Sequence, residues 1–145
     1  MRKKILFFIL LLLISFSSAS CRRISNKNEN QNKEVILASF TVLADIISNV
    51  AKDDFIVESL IDFGVEVHGY QPTPSDLVKA SSASVFVDNG FGFELWAEKF
   101  VSNLKIKRIT IAEDLDPIFI SEDFYKGKPN PHAWISPKRG MLYVD

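Results

Sequence analysis

Short apolar runs alternate along this chain with stretches whose apolar residues recur at helical spacing. Residues 34–40 (EVILASF) form an apolar run short enough for a buried strand. The next segment, TVLADIISNVAK, places Leu43, Ile46, Ile47 and Val50 at i, i+3, i+4 and i+7, one face of a helix, with Thr41 placed to cap it. A second strand is predicted at 55–61 (FIVESLI), followed by a loop over 62–72. Thr73-Pro74-Ser75-Asp76 then spells a helix start: Thr73 as N-cap, Pro74 at the first helical position and Asp76 closing a capping box, in a short helix ending near Ser82. SVFVD (84–88) reads as the third strand, broken by Asn89-Gly90. An amphipathic helix is predicted over 93–104, with Trp96, Phe100 and Leu104 in register, and RITIA (108–112) is the fourth strand. A long acidic loop marked by Pro and Gly covers 113–131, and Ser136-Pro137 opens a last helix. Strand–helix alternation of this kind predicts an α/β fold, a mostly parallel sheet of about four strands flanked by helices.

The first thirty residues do not belong to that pattern. Arg2-Lys3-Lys4 precede an unbroken apolar run of ten residues, 5–14, and Ser17-Ser18-Ala19-Ser20 follow before Cys21. A positive start, an apolar middle and small residues at the end make an export signal. The run falls short of the ~20 apolar residues that span a bilayer as a helix. Cys21 is the single cysteine, so neither an internal disulfide nor a cysteine-based zinc site is possible. Small-small-Cys at this point looks like a bacterial lipobox, with cleavage before Cys21 and a lipid on its sulfur. Ordinary cleavage after Ala19 or Ser20 is the alternative. Residues 22–33 (RRISNKNENQNK) are polar and Asn-rich and read as a flexible tether. The expected organisation is therefore a lipoprotein signal at 1–20, a tether at 21–33 and a globular body at 34–145.

Charge and composition then narrow the classes. The whole chain has a net charge of −1; without residues 1–20 it has 14 basic and 18 acidic residues, a net of −4. That argues against a nucleic-acid binder, which usually carries a basic face. No G-x-S-x-G elbow and no H-E-x-x-H is present, and Gly90-Phe91-Gly92 fails as a dinucleotide fingerprint because Leu95 stands where the third glycine belongs. An enzyme is therefore disfavoured. The two histidines stand out instead. His68 lies in the loop after the second strand and His132 in the loop after the fourth, so both belong at the carboxyl edge of a parallel sheet, where ligands bind. Pro72, Pro74, Pro131 and Pro137 stiffen the two loops. Position alone leaves two readings, a shared divalent metal or two unrelated loop histidines. Trp96, Phe100, Phe91 and Phe93 read as core, the run 113–116 as a solvated loop, and Trp134 as packing beneath His132.

The segments GVEVHGYQPTPSD (64–76) and GKPNPHAWISPK (127–138) resemble two signatures of the metal-binding lipoproteins of bacterial ABC transporters, the cluster 9 (cluster A-I, TroA-like) solute-binding proteins. ASFTVLADII (38–47) and VFVDNGFGFELW (85–96) resemble the same family in the same order, and the resemblance covers 34–145. It implies two lobes joined by a long helix, with a divalent metal held by two His of the N-lobe and by a Glu or His and an Asp of the C-lobe. His68 and His132 match the N-lobe pair, and Val67 stands where the family usually has Pro. Residues 34–145 then correspond to the N-lobe alone, truncated before the connecting helix and C-lobe.

The absence of His from 113–131 and the wording around His132 favour the manganese/iron branch, with Zn²⁺ possible. The expected function is capture of Mn²⁺ or Fe²⁺, as transported ligand, for delivery to a membrane permease. The protein would be exported, anchored through Cys21 and facing the periplasm or cell exterior, without nucleic-acid partners and monomeric when complete. The alternative is a truncated, non-transporting surface lipoprotein, an adhesin-like remnant.

Overall fold

The structure is a computed structural model that describes residues 33–102 and 104–144. The export signal, Cys21 and nearly all of the tether lie outside the described residues. Four strands form one sheet: β1 (Val35–Ala38), β2 (Ile56–Ser59), β3 (Val85–Asp88) and β4 (Lys107–Thr110). Their order across the sheet is β2-β1-β3-β4, and all three pairings are parallel. Leu37 is paired with Glu58 on one side and Phe86 on the other, and Phe86 with Arg108 beyond. Each strand is shorter than the apolar run that predicts it. The backbone hydrogen bonds nevertheless run on past the strand ends, from Ser39 N–H to the Val87 carbonyl (2.8 Å), Leu60 N–H to Ala38 (2.7 Å) and Ile111 N–H to Asp88 (2.9 Å).

Four helices connect and flank the strands: α1 (Thr41–Ala51), α2 (Pro74–Ser81), α3 (Ala97–Ser102) and α4 (Pro137–Gly140). In α1 the predicted face holds at Leu43, fully buried, and at half-buried Ile46 and Ile47, but Val50 at the helix end is exposed. Thr41 is the first helical residue rather than the cap; the cap position falls on Phe40, which offers no side-chain bond. The capping box of α2 forms as predicted, Thr73 accepting from the Asp76 N–H and the Asp76 carboxylate accepting from the Thr73 N–H. α3 is half the predicted length. Gly90, Phe91 and Gly92 all adopt positive φ (91°, 53° and 76°), so the chain spends residues 90–96 on turns before the helix begins. The long loop 113–131 contains an antiparallel bridge, Phe119 with Pro129, that folds it into a hairpin.

Successive strand residues point to opposite faces, and each face has its own apolar cluster. Leu37, Phe86, Ala97, Phe100 and Val101 fill one. Ala38, Phe40, Leu43, Val87, Phe93, Ala133 and Tyr143 fill the other, which lies beneath the histidine loops. The order of strands reverses between β1 and β3, the switch point at which sheets of this kind open a crevice. His68 and His132 follow the two outer strands, β2 and β4, and their loops turn back over that crevice.

Candidate metal site

The segments just after β1 and β3 make the floor of the crevice. Phe40 and Phe93 pack ring to ring with centres 5.0 Å apart, and Trp134 lies 5.2 Å from Phe40 and 5.0 Å from Phe93. Phe93 then carries both imidazoles, its ring meeting His68 edge-on at 4.4 Å and His132 at 5.5 Å. The His68 and His132 ring centres are 5.5 Å apart. Trp134 lies 5.3 Å from His132, beneath the loop as its place in the sequence predicts.

Both histidines are held by the same local device. The peptide unit is planar, so fixing the carbonyl and the N–H on its two ends fixes its orientation. The Val67 carbonyl accepts from Trp96 Nε1 at 3.0 Å while the His68 N–H donates to Glu66 Oε1 at 2.9 Å. The Pro131 carbonyl accepts from Asn89 Nδ2 at 2.9 Å while the His132 N–H donates to Asn130 Oδ1 at 3.0 Å. In each case a side chain of the 89–96 segment takes the carbonyl, and the side chain two positions before the histidine takes the N–H.

His132 has a defined tautomer in this network. Asn130 must present its oxygen to the His132 N–H, and that same oxygen lies 3.0 Å from His132 Nδ1. An amide oxygen only accepts; Nδ1 therefore carries the hydrogen and Nε2 keeps its lone pair for a ligand. Burial holds the His132 pKa below the usual histidine value, the neighbouring His68 adds to that, and Glu66 opposes it.

The 89–96 segment is itself anchored by a buried carboxylate. Glu94 accepts from the Ser39 hydroxyl (2.6 Å) and from the N–H groups of Asn89 (2.9 Å) and Gly90 (3.3 Å), tying the ends of β1 and β3 together. Burial raises its pKa against those three donors. At the end of β3, Asp88 accepts from Arg108 and Thr110 of β4. Sequence reading singles out the two histidines and misses Ser39, Asn89, Glu94 and Asn130. Asn89-Gly90 reads only as a strand breaker, and Glu94 as a polar position on a helix. Among the described residues no group of three or more His, Cys, Asp or Glu side chains converges on one point. Among the described residues the arrangement can offer a metal ion the two imidazoles.

Residues 36–145 match a known protein family, described as the periplasmic component A of a zinc-uptake complex. The iron-binding protein YfeA of Yersinia pestis is 36% identical over 139 residues, 95% of this chain and 45% of its own length. The manganese ABC transporter substrate-binding lipoprotein ScaA of Streptococcus gordonii is 32% identical over 151 residues, 98% of this chain and 49% of its own. Among solved structures, the Mn-bound periplasmic metal binding protein of Candidatus Liberibacter asiaticus superposes with a TM-score of 0.69 at 40% identity, over 77% of this chain and 42% of that one. The chain thus spans about half the length of the curated relatives it matches. With the strand order, the two histidine loops and these matches together, the chain belongs to the ZnuA/TroA-like family of metal-binding solute-binding proteins, a family of transport proteins and not of enzymes.

Proposed function

We propose that this chain captures a divalent metal ion through His68 and His132 and serves an ABC transporter permease as its extracytoplasmic metal receptor, held at the membrane by a lipid on Cys21. The separation of the two imidazoles carries this reading. A metal bound ~2.0–2.1 Å from a ring nitrogen lies about 3 Å from the ring centre, so two imidazoles at a tetrahedral angle on one ion have centres about 5 Å apart. The rings of His68 and His132 stand at 5.5 Å, and in the neutral His132 ring the Nδ1 contact to Asn130 leaves the lone pair on Nε2.

Mn²⁺ or Fe²⁺ is the proposed cargo, with Zn²⁺ second. The iron and manganese relatives support that order, as does the absence of further histidines from 113–131. The family description names zinc, and raw affinity favours Zn²⁺ over Mn²⁺ at any shared site. Two imidazoles leave the ion's charge without a carboxylate, so this pair alone gives weak binding. In the proposed organisation, residues 34–145 are the N-lobe and the remaining coordination positions are filled by water or by ligands of a second lobe.

Calorimetric titration with Mn²⁺ and with Zn²⁺, on the wild type and a His68→Ala/His132→Ala double variant, tests this. Weak saturable heat in the wild type that vanishes in the double variant is expected. Equal binding by both would remove the site.

A further inference from the structure

We propose that Asn89 and Tyr143 are positioning residues for His132: the Tyr143 hydroxyl anchors the Asn89 amide, and that amide fixes the peptide plane from which His132 projects. The proposal rests on reading His132 as a metal ligand, but it concerns a geometry that exists before any metal arrives.

Asn89 is fully buried and has no freedom left. Its Nδ2 donates to the Pro131 carbonyl at 2.9 Å and to the Gly90 carbonyl at 3.1 Å. Its Oδ1 accepts from the Tyr143 hydroxyl at 2.6 Å. Its backbone N–H donates to Glu94 and its backbone carbonyl accepts from Ala112 at 3.0 Å. Two carbonyls can only accept, so the nitrogen must face them and the oxygen must face Tyr143. The two carbonyls thus set the amide orientation, and the phenol, donating to the oxygen that this leaves, holds the amide in place against Pro131. Proline has no N–H, so its carbonyl is the only backbone group by which residue 131 can be held. That carbonyl and the His132 N–H belong to one peptide unit, and Asn130 holds its other end. Tyr143 is itself buried, and burial, aided by the nearby Glu94 carboxylate, pushes its pKa up to about 12, so the hydroxyl keeps its proton.

Tyr143→Phe removes one hydroxyl and keeps the ring. Asn89→Asp keeps an acceptor for Tyr143 and turns the donor facing Pro131 into an oxygen. Val101→Ala, in the apolar cluster on the opposite face, is the control for lost stability alone. Two readouts are needed on the full chain: the ring NMR signals of His132 and His68 without metal, and the Mn²⁺ dissociation constant. The expected result is displacement of the His132 signals in both variants, with His68 much less affected, and about a tenfold weaker Mn²⁺ affinity. Val101→Ala should lower the melting temperature and move neither readout. Wild-type His132 signals and affinity in folded Tyr143→Phe would overturn the proposal, as would equal displacement by Val101→Ala; if Asn89→Asp fails to fold, Tyr143→Phe decides alone. Should wild type and His68→Ala/His132→Ala bind Mn²⁺ alike, the metal reading fails, while the His132 signals still decide on Tyr143 and Asn89.

Discussion

His132 has the local features that the proposed metal role requires. Its Nδ1 hydrogen is committed to Asn130, and burial together with His68 disfavours its protonated form. Only neutral imidazole binds metal, so a lowered pKa keeps the ligand available at pH values where an ordinary histidine, with a pKa of ~6.5, is half protonated. An NMR titration of the metal-free protein should give His132 a midpoint below ~6.5. His68→Ala should raise that midpoint partway, because it removes a like-charged neighbour and leaves burial in place. Glu66→Gln should lower it further, because Glu66 favours the charged form. A midpoint unmoved by either change would contradict the account. The chain marks the two histidines as candidates by their proline-braced loops at the carboxyl edge of the sheet, while position alone leaves both the shared-metal and the ordinary-loop reading open. Asn130 and Glu94 are not readable in the same way. Their N–H partners are near in sequence, but what those bonds hold depends on the fold: the Pro131–His132 peptide that Asn130 holds at one end is held at the other by Asn89, and Glu94 takes the Ser39 hydroxyl from a distant strand end.

At the scale of elements, local chemistry explains most of what forms. The Thr73–Asp76 box starts α2 where the residues say it should, because all its partners lie within four positions. α3 departs from its apolar periodicity because Glu94, held by the Ser39 hydroxyl from the end of β1, pulls the N–H groups of Asn89 and Gly90 onto its carboxylate and fixes the 90–92 turn. Gly90 is the residue that permits this. Its φ is +91°, and a Cβ there would lie 2.5 Å from the Thr110 methyl. That methyl has little room to yield, because Thr110 donates its hydroxyl to buried Asp88 at 2.9 Å. Gly64 has φ +82° with nothing within 4 Å, so it separates strain from clash. Gly64→Ala should cost about 1–2 kcal/mol from the left-handed backbone alone. Gly90→Ala should cost clearly more, about 3 kcal/mol once displacement of Thr110 is added. Equal midpoints for the two variants in urea denaturation would show that Thr110 gives way freely.

Across the whole molecule, the sheet order β2-β1-β3-β4 brings together loops that are distant in sequence. Alternation of strands and helices announces a parallel sheet but not which strands lie outermost, and that order is what lets the loops after β2 and β4 meet above the β1–β3 crevice. The consequence is a link between metal and global stability. An ion shared by positions 68 and 132 closes a long loop that is open in the unfolded chain, so it binds the folded state by preference. At a free Mn²⁺ concentration about one hundred times the dissociation constant, the stabilisation is about 2.7 kcal/mol. For a folded unit of this size that corresponds to a rise in melting temperature of about 10 °C. The rise should track concentration logarithmically once the site is saturated, because each further tenfold in free metal adds about 1.4 kcal/mol. The His68→Ala/His132→Ala variant should show none of it. A single His68→Ala change should abolish nearly all of it, since one imidazole can bind an ion but cannot tie two loops. Thermal melts of the three proteins across a Mn²⁺ series check this, and a wild-type melting temperature indifferent to metal would mean that the two loops never share an ion.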